Sequence, residues 1–162
     1  MLVAVVSDTH LPRGARRLPE PCVVRLRAAD IVLHCGDIAT AAVLAELEAL
    51  GPPVHAVAGN VDEPALQVSL PRELVVEAEQ ARIAMTHVAG PARGREERLR
   101  ARFPDVDAIV YGHTHRPQVE LVDGVWILNP GSPTERRRSP ARTMLLLEVR
   151  GRELAPQLVV VG

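Results

Sequence analysis

Aspartate, asparagine and histidine, residue types that hold divalent cations, recur in this chain where apolar runs end. Val106-Asp107-Ala108-Ile109-Val110 leads into Tyr111-Gly112-His113-Thr114-His115. Neutral imidazole is the commonest metal ligand, and an extended pair at i and i+2 is expected to point both rings to one side. Leu2-Val3-Ala4-Val5-Val6 likewise runs into Ser7-Asp8-Thr9-His10, and three further runs end in Gly36-Asp37, Gly59-Asn60 and Thr86-His87. A sixth ends in Asn129-Pro130-Gly131-Ser132. An isolated histidine is most often a satisfied core or loop residue, but repetition across five run ends argues for one shared site. A glycine beside three of the donors lets backbones approach closely. The seven donors are Asp8, His10, Asp37, Asn60, His87, His113 and His115. They are too many for one tetrahedral ion that keeps an open position, and they suit two ions roughly 3.5–4 Å apart sharing one carboxylate.

The elements that must bring these donors together follow from patterning. Leu2 to Val6 is a continuous β-branched run, as in a parallel strand buried on both faces. Glu20 to Ala29 has helical spacing, and Ile31-Val32-Leu33 is the next strand. Thr40 is placed to cap a helix carrying Val43, Leu44, Leu47 and Leu50 on one face, and Val54 to Ala58 is a third strand. Asp62 and Glu63 are expected to cap a helix after Asn60. This βαβαβ third should gather its polar strand ends in one crevice, where open parallel sheets bind ligands. Beyond Arg72 the pattern turns to paired strands. Leu74–Val76 and Arg82–Met85 flank a turn near Glu79-Gln80, and a charged helix spans about 95–103. Val119–Val122 and Val125–Leu128 flank Asp123-Gly124, a strong two-residue hairpin signal, and Thr143–Val149 and Leu154–Val161 close the chain. A parallel half followed by an antiparallel half predicts two sheets packed face to face with helices outside.

At 162 residues the chain reads as a single domain, 1–162, able to bury roughly 70% of its extended surface. A net charge of −1 and three aromatic residues (Phe103, Tyr111, Trp126) make nucleic acid an unexpected partner. Every cationic side chain is Arg, which excludes Schiff-base and P-loop lysine chemistry. Two cysteines without CxxC spacing, no basic leader and no span-length apolar run predict a cytoplasmic protein with no membrane partner. Homo-oligomerisation is left open.

The set Asp8-Thr9-His10, Gly36-Asp37, Gly59-Asn60, His87, Gly112-His113-Thr114-His115 and Asn129-Pro130-Gly131-Ser132 resembles the calcineurin-like metallophosphoesterases, specifically their small bacterial and archaeal phosphodiesterase branch. The resemblance spans residues 1 to about 150 with all motifs in order. It implies an α/β fold, a four-layer α/β/β/α sandwich of two packed mixed sheets. By motif position Asp8, His10 and His115 would hold one ion, Asn60, His87 and His113 a second, and Asp37 would bridge them. Asp37, Asn60 and His87 are thereby the expected catalytic positions. The implied activity is hydrolysis of a small phosphodiester or activated phosphomonoester by a metal-bound hydroxide. Imidazole, carboxylate and amide donors suit Mn, the first expectation, and also Zn, Fe or Ni.

Two positions depart from the family pattern. Val88-Ala89 follow His87 where relatives have Gly, and Val61 stands where many relatives place a histidine that protonates the leaving group. Arg13 and Arg116, with Arg16, Arg17 and Arg136–Arg138 ranked beside them, are candidate phosphate clamps weighed against plain solvation. Cys35 reads as a small buried hydrophobe, and His34 and His55 as structural. The rival readings are a non-catalytic scaffold on the same fold, set against the retention of all seven donors, and a nuclease of the superfamily, weakened by Val61 and the acidic balance.

Overall fold

In a computed structural model that describes residues 1–12 and 16–162, the element order is β1 (Leu2–Val6), α1 (Glu20–Ala28), β2 (Ile31–His34), α2 (Ala41–Glu48), β3 (Val54–Ala56) and α3 (Pro64–Ser69). There follow β4 (Glu73–Ala78), β5 (Ala81–Thr86), α4 (Arg95–Arg102), β6 (Ala108–Tyr111), β7 (Gln118–Val122), β8 (Val125–Asn129), β9 (Thr143–Arg150) and β10 (Glu153–Val160). Two five-stranded mixed sheets result, ordered β10-β9-β1-β2-β3 and β4-β5-β6-β8-β7. The triplets β1/β2/β3 and β5/β6/β8 are internally parallel, and the hairpin strands flank them antiparallel.

Side-chain parity turns these sheets into four layers. Val3 and Val5 of β1 face inward with Leu33, Leu145, Leu147 and Val149, meeting Ile83, Met85, Ala108, Val110 and Leu128 of the second sheet. Their alternates Ala4 and Val6 face outward with Val32 and Met144, beneath Cys22 and Leu26 of α1, Val43 and Leu47 of α2 and Leu66 of α3. On the far side Ala84, Ile109, Tyr111 and Ile127 receive Leu99 of α4 and Phe103, spaced i and i+4. A strand buried on both faces must be apolar at every position, which accounts for the uninterrupted run in β1.

The turns follow their residues. Asp123 and Gly124 both take positive φ (45° and 83°) between the paired Val122 and Val125, the conformation a two-residue type I′ hairpin requires. Pro156 lies in β10, an edge strand, where a missing N–H is tolerated. Thr40 caps α2, its hydroxyl accepting from Val43 N at 3.4 Å. β3 ends two residues earlier than its apolar pattern suggests. Val57 N still donates to His34 O (3.1 Å), but Ala58 N turns away to Pro71 O (2.8 Å). None of the described helices is long and apolar enough to cross a membrane.

Candidate metal centre

The carboxyl ends of β1, β2, β3, β5 and β6 converge along one rim of the sandwich and carry all seven predicted donors. They fall into two groups. Asp8, His10 and His115 are buried together, and Asp37, His87 and the exposed His113 form the second. In the first, His115 Nε2 lies 3.2 Å from Asp8 Oδ1 and 3.2 Å from His10 Nε2. In the second, the exposed Asn60 sets its Oδ1 3.0 Å from His87 Nε2 and 2.9 Å from His113 Nδ1. Asp37 Oδ2 stands between the groups, 3.6 Å from His10 Nε2 and 3.3 Å from His87 Nε2.

Four of the seven donors, His87, His115, Asp8 and Asp37, are aimed by a partner on their other side. A carbonyl only accepts, so His87 Nδ1 donates to Cys35 O (2.7 Å) and His115 Nδ1 to Glu135 O (2.9 Å). Both rings therefore turn their Nε2 lone pairs inward. Asp8 Oδ2 accepts from Ser7 Oγ (2.6 Å) and His113 N (2.9 Å), which leaves Oδ1 facing the histidines. Asp37 Oδ1 accepts from Val61 N (3.0 Å), which leaves Oδ2 in the middle. Lone-pair donors that face one another at hydrogen-bond distance around a common point, carboxylates included, fit two divalent cations.

Charge reinforces this geometry. Burial opposes ionisation of Asp37, but the hydrogen bond and charge of His87, the Val61 amide and the charge of His10 hold its carboxyl down at about 2. Burial likewise disfavours the His87 imidazolium, yet the Asp37 hydrogen bond and the Asp8 and Asp37 charges raise it above its ordinary value. At His10 burial prevails over Asp37, Asp8 and Glu135, and the ring is kept neutral more readily than usual. The cluster thus carries a surplus of negative charge that a cation would offset.

The backbone is strained where the donors sit. Of the ten non-glycine residues with positive φ among those described, five are donors: Asp8, His10, Asp37, His113 and His115. Each such conformation costs on the order of 1–3 kcal/mol and persists where surrounding contacts over-determine it. For the turns through Asp8–His10 and Gly112–His115 those contacts come from the Asn129-Pro130-Gly131-Ser132 loop and its sequel. Ser132 Oγ donates to Asp8 O (2.8 Å), Thr134 Oγ1 to Thr9 O (2.7 Å), Asn129 Nδ2 to Gly112 O (3.1 Å) and Ser139 Oγ to His115 O (2.7 Å). The sixth motif therefore ties the donor loops in place. Gly59 and Gly112 serve close approach. A Cβ on Gly59 would lie 2.0 Å from Asp37 N, and one on Gly112 would lie 2.0 Å from Ser7 Oγ.

Two expectations are corrected. His113 and His115 are not an extended pair on one side. β6 ends at Tyr111, both histidines take positive φ (68° and 56°), and the turn sends them to different groups. Asp62 and Glu63 do not cap α3 with their side chains. Buried Asp62 accepts instead from Ala39 N (2.8 Å) and Gly59 N (2.6 Å), bracing the loops that carry Asp37 and Asn60, while Glu63 accepts from Ala41 N (2.8 Å) at the start of α2. The bonds to Ala39 and Ala41 reach 23 and 22 residues back along the chain, which local spacing does not reveal.

Arg13 lies outside the described residues. Arg116 is exposed beyond His115, its backbone N donating to Thr114 Oγ1 (3.3 Å). Arg16 pairs with Glu135, and Arg137 Nε lies 3.7 Å from the same carboxylate, so neither is a free phosphate clamp. Cys35 is fully buried, its thiol pushed up by burial, and it contributes only its carbonyl. His34 is fully buried, its Nε2 3.1 Å from Thr9 Oγ1.

Residues 1–152 match the family model of the calcineurin-like phosphoesterase superfamily domain. The chain belongs to that superfamily. It is 34% identical over 164 aligned residues, covering 100% of this chain and 94% of the relative, to a probable metallophosphoesterase of Methanothermobacter thermautotrophicus. It is 36% identical over 152 residues to one from Methanocaldococcus jannaschii, covering 92% and 76%. Among solved structures, wild-type Vps29 of Entamoeba histolytica complexed with zinc superposes with a TM-score of 0.79 at 26% identity, each chain fully covered. The superfamily is metal-dependent, and this chain's two groups of candidate metal ligands lie at the strand ends of its two-sheet sandwich.

Proposed function

We propose that this calcineurin-like phosphoesterase holds two divalent ions between its sheets and hydrolyses small phosphodiesters or activated phosphomonoesters. The observation that carries the reading is Asp37 Oδ2, placed between His10 Nε2 and His87 Nε2 so that one carboxylate serves both donor groups. Asp8, His10 and His115 would hold one ion, and Asn60, His87 and His113 the other. When bound, such a pair activates a water near neutral pH and offsets charge on the phosphoryl oxygens. Mn suits these nitrogen and oxygen donors, as do Zn, Fe and Ni, and the zinc complex of the Entamoeba relative supports the choice of a divalent cation.

The chain's own residues do the positioning. Cys35 O and Glu135 O fix two imidazole tautomers, Ser7 and the His113 amide fix Asp8, and the Val61 amide fixes Asp37. The exposed His113 and Asn60 mark the second group as the side from which substrate approaches. The side chain of Val61 is 49% exposed there and has no proton to give a leaving oxygen. Bound metal per chain, counted after saturation with Mn, together with nitrophenolate release from bis-nitrophenyl phosphate, tests the reading. Two ions and metal-dependent turnover are expected. One ion, or a loaded protein inert towards esters, refutes it.

A further inference from the structure

Beside the second donor group opens a recess of about 250 Å³ lined by Asn60 and His87 of that group and by Gln67, Arg72, Val88 and Arg102. Its two cations differ. Arg102 is neutralised and pinned, its Nε donating to Glu73 Oε1 (2.6 Å), its Nη1 to Val88 O (3.3 Å), and its guanidinium lying 5.3 Å from the Phe103 ring centroid. Arg72 is exposed, and among the described residues no carboxylate pairs with it. Gln67 spends one N–H on Asp62 O (2.7 Å) and keeps the other. Glu73, the carboxylate beside this wall, is committed to Arg102. The recess therefore presents one uncompensated guanidinium and a spare amide donor next to residues that would hold the second ion. Its volume is about that of eight waters, room for a short arm of a few heavy atoms.

We infer that this recess receives the non-leaving arm of the substrate and selects phosphodiesters whose short arm ends in an oxyanion, carboxylate or phosphate, bound by Arg72. The inference rests on the phosphoesterase reading above. It adds a substrate class to that reading. A guanidinium presents paired N–H donors that match an oxyanion, and a charge-assisted contact of this kind is worth about 10-fold or more in affinity. An arm ending in a quaternary ammonium meets Arg72 as a like charge and is rejected.

The test uses the full chain loaded with Mn and four nitrophenyl phosphodiesters that differ only in the second arm: ethyl, 2-carboxyethyl, 2-phosphonoethyl and 2-(trimethylammonio)ethyl. In each, water forms one new P–O bond and gives up a proton to solvent, the P–O(aryl) bond breaks with its electron pair leaving as nitrophenolate, so chemistry is constant and the arm is the variable. The two anionic arms should exceed the ethyl arm by about 10-fold in kcat/KM, mostly through KM, with the ammonium arm below ethyl. Comparison of the carboxylate with the phosphonate shows which oxyanion the recess fits. Arg72→Gln should collapse the four values towards one another. Equal kcat/KM for ethyl and carboxyethyl, or a preference that survives Arg72→Gln, overturns the inference while leaving the phosphoesterase reading intact. Release of nitrophenolate from none of the four overturns that reading instead. The recess is then judged by calorimetric titration with 3-phosphonopropionate against ethylphosphonate. An advantage for the former that disappears in Arg72→Gln supports the recess, and equal affinities overturn it.

Discussion

Asp62 gives the sharpest separation between a residue that builds the site and one that merely starts a helix. Its buried carboxylate accepts from Gly59 N at 2.6 Å, next to Asn60, and from Ala39 N at 2.8 Å, two residues after Asp37. Asp62→Ala strands both N–H groups, and leaving a buried donor unsatisfied costs about 1–3 kcal/mol each, so a loss of about 3 kcal/mol is expected. For a domain of this size that lowers Tm by about 6–12 °C. Because the two freed loops carry Asp37 and Asn60, affinity for the second ion should also fall about 10–100-fold, the scale of losing an orienting partner. The buried group of Asp8, His10 and His115 should keep its ion. Thermal unfolding of the metal-free chain and calorimetric titration of Mn into folded wild type and variant read the two effects separately. A helix-cap role would cost only about 1 kcal/mol and leave both ion affinities unchanged. That outcome would refute the bracing argument.

The other expectations are shorter. Asp37→Asn keeps the shape but removes the charge both donor groups share, so Mn-dependent turnover should fall at least ~10²-fold, measured as nitrophenolate release at saturating metal. Val61→His supplies a donor beside the second group, and the gap between aryl and alkyl leaving groups, wide in wild type because general-acid help is worth roughly 10²–10⁴-fold, should narrow. If wild type handles both leaving groups equally, another group supplies the proton. Burial lowers His34 to about 4, against the pull of Asp8 and Asp37. The unfolded chain therefore takes up a proton first, and this group erodes stability as pH falls from about 6.5 to about 4, by on the order of 3 kcal/mol. Urea unfolding of metal-free wild type and His34→Gln across that window should show a shallower acid decline in the variant.

Much of the site was visible in the sequence because its chemistry is written at strand ends and strands are easy to see. The βαβαβ pattern placed Asp8, Asp37 and Asn60 on parallel neighbours, and Asp123-Gly124 fixed the β7/β8 register. What spacing left hidden was conformation and long-range bracing. Nothing local distinguishes an extended His113-Thr114-His115 from the left-handed turn observed, since here the positive φ is held by groups distant in sequence. Those groups, Asn129, Ser132, Thr134 and Ser139, lie 15 or more residues from the backbone atoms they hold. Asp62 misled for the same reason, because a carboxylate just before a helix is a cap by local rule and a brace only in three dimensions.

The two donor groups are built to different standards, and the difference bears on where specificity resides. Asp8, His10 and His115 are buried and reached by hydrogen bonds from Ser7, Ser132, Thr134 and Ser139, so their geometry is set by the core and tolerates little change. The second group opens outward through His113 and Asn60, with Val61 49% and Val88 45% exposed beside it. On the proposed function, substitutions at Val61, Val88 or Arg72 should alter what meets the substrate while leaving the sandwich packing untouched. The side chains at these positions depart from local family pattern or stand unpaired, and that is where one fold with one donor set can be given a different substrate.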